Sequence, residues 1–400
     1  MIRSRRYDLD WLRIFAFGVL IYFHTAIIFI PDAIPMVRNS ELSDGLQIFV
    51  SISSQFRLSL LFFISGVGVA FARRNRTVAE FVTERSQRLL IPLFFSVLIV
   101  VPPMVYTEKL FIGEYRGSFI DFYGQVFTTG VYPAGNLSWH HMWFVAYLYL
   151  FCLLGIRLFE WLERDDEQRL TCLTKAMRGY GILLPVLPLW GIELFLRPIF
   201  PGFRDLIHDW ASFSHWFVVF VCGYLIANRE SLLDFTSHIF IKSIAISVIS
   251  IGLMYLLFGS MEFSVDMSDP LLPPKYLINS LLRVVMVWSS ILACLGAVGR
   301  YFRFSSPVLK YLNEAVYPLF ILHLPVIVII GFWIVQMDWG VWPKYLVIAN
   351  LTGPVILVFY HFFIRPFDFM RALFGVSKKW DAKRPTTKPR SMENVPPYES

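Results

Sequence analysis

Residues 11–30, WLRIFAFGVLIYFHTAIIFI, form a twenty-residue apolar run broken by one arginine and one histidine. That length is about what an α-helix needs to cross the hydrocarbon core of a bilayer, so the stretch predicts a membrane-spanning helix. Arg13 and His24 lie eleven residues apart, close to three helical turns, which puts both on one face and about 16 Å apart along the axis. The helix therefore carries a cation near its start and an imidazole near the bilayer midplane. Ionisable groups in such a helix cost about 3 kcal/mol or more each by insertion scales, so a functional role is the first expectation. A structural alternative stays open, with His24 bonded to a neighbouring helix and Arg13 snorkelling to the headgroups.

The rest of the chain has the same character. Its 400 residues are 56% hydrophobic, 17% aromatic and only 16% charged, with a mean hydropathy of +0.58, which excludes an ordinary soluble domain. Apolar runs at about 11–30, 46–72, 88–106, 140–158, 180–198, 212–228, 239–259, 276–297, 315–335 and 344–364 predict an all-α, polytopic membrane protein of about ten transmembrane helices in one bundle. The second run is interrupted by Gln55-Phe56-Arg57, which suggests a tilted, kinked or partly re-entrant segment. Lys and Arg concentrate in the alternate connections on the N-terminal side, so both termini are expected in the cytoplasm. Residues 1–364 read as one transmembrane domain and 365–400 as a basic, disordered cytoplasmic tail. The first helix follows only ten residues and shows no small-residue cleavage site, so it is expected to be retained.

The formal charge of +7 needs no nucleic-acid partner, since anionic lipid beside Arg73, Arg74, Arg76 and the tail accounts for it. Segment 158–178, with Glu160, Glu163, Arg164, Asp165, Asp166, Glu167 and Arg169, reads as a solvated cytoplasmic connector. Cys152, Cys172, Cys222 and Cys294 are scattered and predict neither disulfides nor a metal site. No Walker or dinucleotide glycine pattern follows a strand-like run, so neither ATP-driven transport nor nicotinamide chemistry is indicated and no permanently bound cofactor is expected.

Four further constellations can carry chemistry. Arg85 and Arg88, before Pro92, lie three residues apart on one side of a helix rising from the cytoplasm, where paired guanidinium forks can grip phosphates or simply set topology. Arg57 lies mid-segment and must face a polar cavity or a carboxylate. His141 and Trp143 open the fourth span on the outer side, as acceptor contacts or as an interfacial belt. In 313–323, NEAVYPLFILH, Glu314 and His323 are about 180° apart around the helix and so face different partners, while Pro318 frees a carbonyl. Glu193 and Arg197, four apart, are read as neutralising one another, and Arg283 and His361 as polar contacts. Outer loop 107–139 and its margins supply Tyr106, Phe111, Tyr115, Phe119, Phe122, Tyr123, Tyr132, Trp139 and His140, which suit a sugar-like acceptor as well as an aromatic belt.

Together, Asp8-Leu9-Asp10-Trp11-Leu12-Arg13 with His24, then Leu61-Phe62-Phe63-Ile64-Ser65-Gly66, Arg85 and Arg88, His141-Met142-Trp143-Phe144 and the 313–323 segment resemble the acyltransferase-3 family of integral membrane acyltransferases, in family order. The wording is closest to the glucan biosynthesis protein C branch, which succinylates periplasmic glucans. The resemblance implies a multi-pass protein of the bacterial cytoplasmic (inner) membrane that moves an acetyl- or succinyl-class group from cytoplasmic acyl-CoA, as donor substrate, to a hydroxyl of an extracytoplasmic carbohydrate. It implies His24 as the essential histidine, Arg13 as its basic partner, and Arg85 with Arg88 as its paired-arginine motif; Arg13, Arg85 and Arg88 are then expected to hold the coenzyme A phosphates. Asp10 is then expected to orient Arg13, with Arg57, His141, Trp143, Glu314 and His323 supporting the site. A transporter or flippase for a polar or lipid-linked substrate is the rival reading, and the oligomeric state is not readable from the sequence.

Overall fold

The computed structural model describes residues 6–32, 36–73, 76–164, 168–202, 204–261 and 272–377. Among these, the chain is helical throughout: α1 Tyr7–Ala26, α2 Asp44–Arg73, α3 Val78–Phe95, α4 Pro102–Phe111, α5 Phe119–Gln125, α6 Trp143–Glu163, α7 Gln168–Ala176, α8 Val186–Phe195, α9 Trp210–Ala227, α10 Glu230–Phe258, α11 Leu272–Tyr301, α12 Pro307–Ile334, α13 Val341–Phe359 and α14 Asp368–Leu373. Among the described residues, nine spans are long and apolar enough to cross a bilayer, α3 and α4 counting as one span joined through a π-turn. The all-α polytopic architecture follows from the long apolar runs, because in lipid only closed helical hydrogen bonding satisfies the backbone.

The tenth expected span, 180–198, takes a different form. A 3₁₀ turn over Gly179–Leu183 leads into the ten-residue α8, a stretch shorter than a standard span. Pro185 and Pro188 sit in its first turn, where they lack the N–H that a longer regular helix would use. The chain nevertheless returns across the bundle here. Tyr147 near the start of α6 hydrogen-bonds Asp209, just before α9, and Tyr224 near the end of α9 hydrogen-bonds Glu163 at the end of α6. The two helices are thus parallel, and the segment between them must run back. It does so antiparallel to α11, with Ile182 accepting from Trp288, Trp190 donating to Ser280 and the Glu193 carbonyl accepting from Tyr276.

Two other expectations change. Helix α2 is continuous through Gln55-Phe56-Arg57, with no break or re-entrant turn. Residues 365–377, assigned from composition to the tail, are ordered: α14 packs on α3, and Arg371 is buried with hydrogen bonds to the Ser377 carbonyl. The remaining tail, 378–400, and Arg74 and Asp165–Glu167 lie outside the described residues.

Helix α1 lies at the centre, against α2, α11, α12 and α13. Helices α2 and α9 cross so closely that a Cβ on Gly66 would fall 1.9 Å from the Phe220 carbonyl oxygen and one on Gly223 2.2 Å from that of Phe63. Small residues permit this approach, which membrane helices rely on because lipid offers no hydrophobic drive between them. The α10–α11 hairpin packs through small polar groups, with Ser247 and Ser290 hydroxyls 2.8 Å apart, while Val248, Ile249 and Leu256 of α10 face outward. Arg13 near the start of α1 bonds Asn313 near the start of α12, and Glu314 pairs with Arg371. Both described chain ends therefore lie at one end of the bundle, which is labelled the inner end.

Candidate functional site

Two cavities open from opposite ends of the bundle and share the side chains of Leu20, Leu61, Phe144 and Phe320 as a collar. The inner cavity, about 570 Å³, is lined by Arg13, Arg76, Arg85, Arg88 and Arg371 against only Glu84 and Glu314. The three-residue spacing of Arg85 and Arg88 brings both to the same wall. Arg88 pairs with Glu84 at 3.0 Å and reaches the Gly375 carbonyl at 3.4 Å, while Arg85 lies 3.4 Å from Glu84 and over the Phe81 ring. Arg13 donates to Asn313 at 3.0 Å. Glu314 is held by Arg371 at 2.7 Å and Arg365 at 3.8 Å, so this carboxylate tethers α14 beside the inner cavity. Asp10 is half-buried on the first turns of α1.

The outer cavity, about 710 Å³, contains His24, Arg57, His141, Trp143, Arg204 and Tyr132 among its walls. His24 meets His323 across α1 and α12, with His24 Nδ1 3.1 Å from His323 Nε2. On the other side, His323 Nδ1 lies 2.5 Å from the Phe320 carbonyl oxygen. A carbonyl can only accept, so His323 Nδ1 carries a proton and, in the neutral ring, Nε2 is the acceptor. His24 must then donate from Nδ1, and its Nε2 is left as a lone pair at the cavity wall. This is the same orienting logic by which a second group fixes the tautomer of a catalytic imidazole. Glu314 and His323, read from the sequence as facing apart, do so: one points to the inner cavity and the other is fully buried at the collar.

His141 is placed by a defect in α12. Pro325 has no N–H, so the carbonyl of Ile321, four residues earlier, loses its helical donor. The His141 Nε2–H donates to that carbonyl at 2.9 Å, which commits this nitrogen to the kink and sets the ring 5.2 Å from that of His323. Trp143 forms the adjacent wall, packed on Trp216 and Tyr147.

Arg57 faces a cavity, as its mid-segment position predicted, although most of the cavity lining is apolar, and its guanidinium lies 3.4 Å from the centre of the Phe23 ring. Arg204 was not anticipated. It comes from the loop before α9, where Asp209 accepts from the Arg204 N–H at 2.9 Å and from the Tyr147 hydroxyl, and its guanidinium lies 5.1 Å from the Trp143 ring. Burial lowers Arg204 to about 10, so it stays a cation at neutral pH. Of the outer aromatics, Tyr132 and Trp139 line the cavity. Tyr106, Tyr115 and Phe122 instead pack edge-on or tilted against one another. Tyr132 donates to Glu108 at 2.8 Å, and burial together with that carboxylate pushes its hydroxyl pKa up.

A second polar cluster has the order of a hydrolytic triad: Ser59 Oγ lies 3.4 Å from His215 Nε2, and His215 Nδ1 3.3 Å from Glu193. All three are buried and none lines either cavity described above, so no carbonyl reaches the serine from them. Glu193 is instead clamped by Arg197 at 2.9 and 3.0 Å, the mutual neutralisation expected from their spacing. Among the described residues no group of His, Cys, Asp and Glu is arranged to hold a metal. The four cysteines are free.

The sequence matches the family model of the acyltransferase domain, Acyl_transf_3, over residues 6–361. No curated protein and no solved structure matches the chain. The matched region takes in the outer cavity, the collar, the His24–His323 pair and the inner cavity apart from its Arg371 and Gly375–Ser377 wall, and the chain belongs to the acyltransferase-3 family as a multi-pass membrane acyltransferase.

Proposed function

We propose that the protein transfers an acyl group from a coenzyme A thioester in the inner cavity to a hydroxyl of a carbohydrate in the outer cavity, with His24 as general base. The observation that carries this reading is the His24–His323 pair, which presents an unprotonated nitrogen beside the collar that separates a basic cavity from an aromatic one. Arginine forks suit the phosphates of coenzyme A, and the arm of the coenzyme would run along α1 over the ~16 Å rise between Arg13 and His24. Parting of the collar side chains lets the thioester carbonyl meet the acceptor.

His24 Nε2 takes the proton of the acceptor hydroxyl as its oxygen attacks the thioester carbonyl. The C–S bond breaks, an ester forms, and the thiolate leaves and takes the proton back from the imidazolium as free coenzyme A. His323 Nε2 accepts from the imidazolium throughout and so stabilises the charge. The basic inner end would face the cytoplasm, which puts both termini there and the acceptor on the far side; the bacterial inner membrane fits that arrangement. Succinyl or acetyl as the acyl group and a periplasmic glucan as the acceptor rest on the resemblance of motifs to one branch of the family.

Cavities on opposite faces also suit a transporter or flippase, but alternating access needs no tautomer-fixed histidine. The test is coenzyme A release from a panel of acyl-CoA donors by purified protein, with His24→Ala alongside. The proposal expects donor-dependent release that disappears in the variant while donor binding persists. Release that is unchanged in His24→Ala would remove the histidine from the reaction.

A further inference from the structure

Among the described residues, the walls of the outer cavity hold two arginines and three histidines and no carboxylate. Arg57 is only 5% exposed, and no ion pair or hydrogen bond engages its guanidinium among the described residues; Nε is buried without a partner, and the face of Phe23 is its support. A buried cation without a counter-charge is strongly unfavourable in a membrane helix. The ring of Phe23 offsets little of that. Among the described residues nothing supplies that charge, which leaves it to whatever fills the cavity.

A second cation is brought there at a conformational cost. Arg204 has φ 68°, a left-handed conformation that side chains other than glycine rarely adopt. Asp209 and Tyr147 pin the loop in that state and aim the guanidinium over Trp143.

We infer that the outer cavity is an anion site, and that the part of the ligand seated beside His24 carries a carboxylate or a comparably compact anion gripped by Arg57 with Arg204 as the second cation. The inference rests on the acyl-transfer reading only for the identity of the ligand. Under that reading the anion has two sources with the same chemistry: the far end of a dicarboxylic acyl chain that extends past the collar, or an acidic group on the carbohydrate acceptor.

The experiment is equilibrium binding of free anions to the full chain in detergent, with no turnover required. Succinate is compared with succinamide, its neutral match, and glucuronate with glucose, for wild type, Arg57→Met and Arg57→Lys. At least one anion should bind about tenfold or more tightly than its neutral match. That preference should vanish in Arg57→Met and survive in part in Arg57→Lys. A preference confined to succinate assigns the anion to the acyl chain, and one confined to glucuronate assigns it to the acceptor. Because Arg57→Met removes an uncompensated buried charge, its melting temperature should equal or exceed that of wild type. Equal binding of anions and neutral matches by wild type, a preference that outlives Arg57→Met, or a sharp fall in melting temperature in that variant would each overturn the inference. Absence of coenzyme A release counts against acyl transfer and leaves the binding result standing.

Discussion

His323→Leu is the substitution whose outcome follows most directly from the geometry. The side chain is fully buried between α12 and α1, and it makes two hydrogen bonds, to His24 at 3.1 Å and to the Phe320 carbonyl at 2.5 Å. Leucine fills much of the same space but offers His24 Nδ1–H no acceptor. His24 then loses the bond that fixes its tautomer and stabilises its protonated form. A hydrogen bond to a charged group contributes about 1.5–3 kcal/mol, and 1.4 kcal/mol is tenfold, so kcat should fall about 10- to 150-fold. KM for the donor should hold, because Arg85 and Arg88 lie in the other cavity. His323→Gln is the control: its side-chain carbonyl can accept from His24 Nδ1–H and should recover most of the loss. The assay is steady-state coenzyme A release in nanodiscs, with melting temperature as the check on folding. A leucine variant that keeps kcat within about threefold of wild type would refute the tautomer argument, as would a glutamine variant as inactive as leucine at unchanged melting temperature.

Further expectations concern other parts of the molecule. Arg85→Ala with Arg88→Ala should raise KM for acyl-CoA about 10- to 100-fold, as the loss of one or two charge-assisted contacts predicts, while a pantetheine thioester without the nucleotide should be used equally well by both forms. Gly223→Val places methyl groups against the Phe63 backbone and should destabilise the bundle by about 1–3 kcal/mol in a reversible unfolding assay, whereas Gly18→Ala, with nothing within 4 Å of the new Cβ, should leave stability unchanged. The lowered pKa of Arg204, about 10, means its burial as a cation costs stability below that pH and the cost is relieved only as pH rises through it. Arg204→Met should therefore shift melting temperature by a constant amount between about pH 6 and 9, and a shift that grows across this range would contradict that sign.

The spans were legible because a bilayer demands about twenty apolar residues, and that signal needs no tertiary knowledge. Residues 180–198 read as a full span for the same reason, yet Pro185 and Pro188 shorten the regular helix, and only the parallel course of α6 and α9 shows that the chain still returns there. Arg57 was legible as a cavity residue from the cost of a mid-membrane charge alone. The relation of His24 to His323 was not, since it depends on how α1 meets α12 nearly three hundred residues later. The role of His141 left a readable trace in Pro325, four residues after Ile321, which announces an orphaned carbonyl but not its donor. Arg204 carried no signal, because its place depends on the path of a loop set by Asp209 and Tyr147.

Transfer across the bundle is the central claim, and proteoliposomes of one orientation test it most directly. Labelled acyl-CoA is supplied only at the side of the inner cavity and carbohydrate acceptor only at the other. The account predicts labelled ester on the acceptor at the far side, dependent on protein and absent with His24→Ala. Acylation only when donor and acceptor share one side, or labelled ester formed equally by His24→Ala, would contradict it.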